Sequence, residues 1–135
     1  MPPDRYLRAA AIVYAVGLVL HTADHLRRGL DEVTPAVLWA GNVSTAIGLV
    51  TVVLVLAGHR RAPLVAALTG VPIALGVAAV HLLPSWGAVS DPFVGRAAAG
   101  VTAWSWTVVL VEIAGALMLG LVGVQMLRPR RRAAA

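Results

Sequence analysis

His21, Asp24 and His25 fall within the stretch GLVLHTADHLRRGLDE, residues 17–32. Imidazoles four residues apart share one face of a helix, and Asp24, three residues from His21, borders that face. Two groups of matching chemistry, His81 and Glu112, stand far along the chain. Neutral imidazoles with carboxylates form a favourable ligand set for a divalent transition metal, and zinc, copper and iron all suit it. His21 and His25 offer two nitrogens from one rigid element, His81 a third, and Glu112 an oxygen. Asp24 offers another oxygen, or an acceptor that orients an imidazole. The pattern is not the metalloprotease HExxH, because Thr22 follows His21. With no cysteine in the chain, thiolate metal sites, disulfides and thiol redox chemistry are excluded.

The elements that must position these groups are apolar blocks. Of 135 residues, 59% are hydrophobic and 13% charged. That apolar share exceeds the globular norm of roughly 45–50%. The excess is gathered into about Leu7–Leu26, Ala36–Ala57, Pro63–Leu83 and Ala103–Leu127. Each holds the roughly 20 residues that a hydrocarbon core of about 30 Å requires. The sequence therefore predicts an all-α integral membrane protein, a four-helix up-down bundle forming a single transmembrane domain. The first apolar run continues into His21 without a small-residue cleavage site, so it reads as a mature helix and not a secretory signal.

All 11 basic residues are arginine. Arg5, Arg8, Arg60, Arg61, Arg128, Arg130, Arg131 and Arg132 flank one side of the four spans, and only Arg27, Arg28 and Arg96 the other. By the positive-inside rule, both termini and the middle turn face the cytoplasm. Trp39, Trp86, Trp104 and Trp106 all fall at the opposite interface, where indole rings prefer to sit. The net charge of +5 thus reads as a topology signal beside anionic lipid, and no nucleic-acid partner is expected. The basic tail, residues 128–135, is expected to be frayed and cytoplasmic.

This orientation gives the polar groups a common depth. His21 lies about 8 Å inside the Arg27 end of its span, and Glu112 about 9 Å below Trp106, at 1.5 Å per residue. His81 and Asn42 fall within a few residues of the same outer interface. The inner half contributes little beyond Tyr14 and Gln125. Ionisable groups at membrane depth need partners, protonation or water. Asn42, Thr45 and Ser105 are the groups expected to line or orient the site, and Arg27 and Arg28 are expected to meet headgroups or an anionic ligand. The sequon at Asn42 is read as chance, since it lies inside a span.

Four readings of this constellation stay open. One is a membrane metalloprotein with its site toward the extracytoplasmic face of the cell membrane, its substrate and any catalysis unspecified. Another is an accessory subunit whose polar network locks helices together. A third is a bis-His haem electron carrier. The last is a proton or ion path, which the apolar inner half disfavours. Small-residue stripes (Gly70, Ala74 and Ala78; Gly115, Ala116 and Gly123; Gly41, Thr45 and Gly48) let helices approach closely in lipid and are compatible with a homo-oligomer. The third connection contains SDPF, which predicts a short surface helix with Asp91 as N-cap and Pro92 in the first turn.

Overall fold

A computed structural model describes residues 3–95 and 97–128 of the chain. Its helices are α1 (Pro3–Arg28), α2 (Pro35–Leu56), α3 (Ala62–Leu82) and α4 (Ala103–Leu127), with one 3-10 turn at Leu30–Glu32. Each helix contains the apolar block expected of it, or nearly all of it, and all four are long and apolar enough to cross a membrane. Their outward faces carry Val19, Val53, Leu68 and Leu75, each more than 60% exposed. Apolar side chains displayed all round a bundle suit a lipid solvent.

Local signals set the helix ends. Gly29 follows α1 with a φ of 97°, a conformation in which a side chain is strained. Thr34 caps α2 by accepting from the Val37 N–H, and Pro35 opens the helix without needing a hydrogen-bond partner for an N–H. Ser105 Oγ accepts from the Thr102 N–H at the start of α4, one arm of a capping box.

α4 packs most intimately, against both α1 and α3. A Cβ at Gly17 would come 2.6 Å from the Glu112 Cα, and one at Gly115 would come 2.6 Å from the Tyr14 Cα. Such contact between backbones is what small residues permit in lipid. The pairs 17/112 and 14/115 run in opposite senses, so α1 and α4 are antiparallel. Gly70 against Gly120 and Gly123 against Ala67 make the same arrangement between α3 and α4. α2 closes the ring against α1 and α3. Thr51 and Thr69 share a 3.1 Å hydrogen bond across α2 and α3, and Gly48 receives the Tyr14 hydroxyl. The core between the helices holds Leu7, Ala11, Tyr14, Leu18, Val55 and Leu119.

Two expectations are corrected. Among the described residues, the connection 83–102 contains no helix. Asp91 is not an N-cap there, because its carboxylate turns inward to Arg28. The segment instead lies back on the end of α3: the Asp91 N–H donates to the Val80 carbonyl and the Phe93 N–H to the His81 carbonyl. Those are carbonyls that a helix C-terminus leaves without partners, and satisfying them holds the loop across the bundle end. Second, Gly41 packs against nothing within 4 Å, so the stripe expected on α2 is used only in part. The tail expected to fray lies outside the described residues beyond Arg128.

Candidate metal centre

The site lies at the bundle end that carries the α1–α2 and α3–α4 connections. It rests on the close approach of Gly17 to α4. That contact sets the Glu112 backbone one helical turn from His21 on the same face of α1. Side chains tilt toward the N-terminus of their own helix. In antiparallel neighbours the two tilts converge, so His21 and Glu112 reach each other. His21 Nδ1 donates to Glu112 Oε2 in a buried hydrogen bond.

α3 runs parallel to α1 and diagonally across the ring from it. It brings His81 to the same level through side chains. The His21 and His81 ring centroids are 4.8 Å apart, His21 and His25 4.7 Å, and His25 and His81 5.6 Å. One ligand atom from each of the three imidazoles lies within 4.8 Å of the others. Tetrahedral coordination at 2.0–2.1 Å brings nitrogens to about 3.3 Å from one another, so small χ rotations would close the set. At these separations the three rings are in contact, too close for a flat porphyrin to stand between any two of them.

Tautomers follow from the partners. His21 gives its Nδ1 proton to Glu112, and its Nε2 is buried with no hydrogen-bond partner among the described residues. His81 Nδ1 donates to the Asp91 carbonyl at 2.9 Å, which also leaves Nε2 free. A metal-ligating histidine is commonly held in this way by a carboxylate or a carbonyl behind it. His25 differs, since its Nδ1 accepts from Arg28 Nη2 at 3.0 Å. A neutral His25 in that contact carries its proton on Nε2, so Arg28 and a metal compete for this ring.

The other expected residues take varied places. Glu112 stands behind His21, outside the three-imidazole group. Asp24 is fully buried, but faces the arginines: Oδ1 accepts from Arg27 Nε at 2.8 Å, and Oδ2 lies 3.4 Å from Arg28 Nε. Arg27 also donates to the Gly100 carbonyl at 2.8 Å and to Ser105 Oγ at 3.1 Å. Ser105 is thus a buried element of the rim. Arg28 does not extend to the surface as a headgroup anchor would. Its side chain is 2% exposed and clamps Asp91 through both terminal nitrogens. Asn42 is exposed on α2, and Thr45 is half-buried.

Two residues of the site were not legible beforehand. Asp91 is its hub: the carbonyl holds His81 and the carboxylate holds Arg28. Burial works against ionising Asp91, but hydrogen bonds and charge from Arg28 outweigh it and hold the carboxyl below its usual value. Phe93 packs on His81 at 4.8 Å, and the Arg28 guanidinium lies 5.4 Å over its ring. The available signal was one of charge. Arg27 and Arg28 end a span that holds Asp24 as the one acid within a turn of them, but Asp31 and Glu32 follow closely in sequence, so the charge count does not single out Asp91.

Comparison of the chain with protein-family models, with curated proteins and with solved structures finds no match.

Proposed function

We propose that this chain is a multi-pass membrane metalloprotein that holds one divalent transition-metal ion between His21, His25 and His81. Glu112 and the Asp91 carbonyl fix the tautomers of His21 and His81. Asp24, Arg27, Arg28 and Asp91 form a charged rim that is balanced pair by pair. The observation that carries this reading is the buried, unpartnered Nε2 of His21 beside two other imidazoles. A buried polar atom without a partner is costly, and a metal is the ligand that three convergent imidazoles suit. Three imidazoles leave a coordination position open to an exogenous ligand. Zinc, copper and iron all fit this donor set.

The arginine distribution supports cytoplasmic termini and a site toward the extracytoplasmic face. The absence of cysteine from the sequence makes this simple to test. An impermeant thiol reagent added to intact cells should label Glu32→Cys and spare His59→Cys. The reverse pattern would invert the topology.

The metal reading is tested by purifying the full chain in detergent, loading it with zinc, copper or iron, and measuring bound metal and the visible spectrum. One equivalent of metal is expected, lost in His21→Ala and His81→Ala with helicity unchanged. A second reading, a structural network only, is favoured by the His21–Glu112 pair, which joins α1 to α4 without an ion. It requires no bound metal under any loading condition, and that result would overturn the first.

A further inference from the structure

At the opposite end of the bundle the helix ends line an open cavity of about 320 Å³. We infer that it binds the phosphate headgroup of an anionic phospholipid. Its lining is mixed: Leu7, Val55 and Met126 are among the apolar residues, and Arg8, His59 and Arg60 among the polar ones. Asp4 lines it too. Neither Arg8 nor Arg60 forms an ion pair with a carboxylate among the described residues. Among the described residues, two guanidiniums against one carboxylate leave the lining with one net positive charge, which complements a phosphodiester.

The turn is shaped to present these groups. Gly58 has a φ of 67°, and a Cβ there would meet Arg8 Nη2 at 3.4 Å. The guanidinium of α1 therefore sits directly over the α2–α3 turn. The volume matters as well. A water occupies about 30 Å³, so the cavity exceeds what a lone phosphate ion fills, and its apolar residues suit the glycerol and first acyl carbons of a lipid. A basic pocket between transmembrane helices is a recognised headgroup receptor. Arg8 is 13 residues from His21, about 20 Å along α1, so this site is independent of the metal reading.

The test uses the purified full chain in detergent, with phosphatidylglycerol and phosphatidylcholine of identical acyl chains, and native mass spectrometry as the readout. One phosphatidylglycerol per chain should be retained, at least tenfold over phosphatidylcholine. The preference should vanish in Arg8→Ala/Arg60→Ala and survive in Arg5→Ala/Arg61→Ala, which removes equal charge from outside the cavity lining. Asp4→Asn leaves both arginines in place and should strengthen retention, which keeps the test open if the first double variant fails to fold. Equal retention of the two lipids overturns the inference, as do equal losses in the two double variants or an Asp4→Asn variant that retains no more lipid. Binding of inorganic phosphate with no retention of phosphatidylglycerol overturns it too, because the ligand is then the free anion.

Discussion

Glu112 accepts the Nδ1 proton of His21 across the α1–α4 interface, and no other side chain among the described residues hydrogen-bonds Glu112. The carboxylate makes the far nitrogen of that ring a better donor to a metal and holds the ring still. Glu112→Gln keeps the size of the group and loses its charge. Metal affinity is expected to fall about 10–100-fold, read by competition with a chromophoric chelator. An unchanged affinity would detach Glu112 from metal binding.

The same relationship depends on Gly17. A side chain there would begin 2.6 Å from the Glu112 Cα, so α4 would have to move. Gly17→Val is expected to cost about 1–3 kcal/mol through overpacking and to weaken metal binding by separating Glu112 from His21. Gly41→Ala makes the contrast, since nothing lies within 4 Å of that position. It should be neutral, or stabilise by up to about 1 kcal/mol through helix propensity. Thermal unfolding in detergent checks both.

Asp91 anchors the third connection to Arg28. Asp91→Ala leaves the buried guanidinium with His25 and, among the carboxylates of the described residues, with Asp24 alone, and breaking a buried pair typically costs about 3–5 kcal/mol. The sign of the pH dependence follows from the lowered pKa of Asp91. Its stabilisation is complete above the unfolded carboxyl value of about 3.9 and is lost as pH falls through the lower folded value. Melting temperature should therefore decline in acid below about pH 4, and less steeply in Asp91→Asn. Parallel acid profiles for the two proteins would remove Asp91 from this role.

Asn42 and Ser105 separate depth from location. Asn42 lies at the expected depth but is exposed on α2, so Asn42→Ala should leave metal affinity unchanged. Ser105 is buried and accepts from Thr102 and Arg27. Ser105→Ala should cost about 1 kcal/mol of stability as a weakened cap, again with metal affinity preserved. A large loss of metal in either variant would redraw the site.

The four spans, their approximate ends and the common depth of His21, His81 and Glu112 were legible in the sequence alone. Hydropathy and helical spacing are local properties, so runs of about 20 apolar residues and a four-residue interval report directly on length, depth and face. What the spacing does not encode is how helices rotate and order themselves about one another. The glycine contacts decide that, and they set Glu112 behind His21 instead of among the imidazoles while leaving Asn42 outside. The path of the third connection was equally hidden. SDPF carries a local signal for a helix start, but the buried charge of Arg28 and the unpaired carbonyls ending α3 together outweigh it. Asp91 finds those partners 63 positions away in Arg28 and 11 positions away in the Val80 carbonyl. Only the folded chain brings them together, and so only the tertiary structure makes Asp91 the hub of the site.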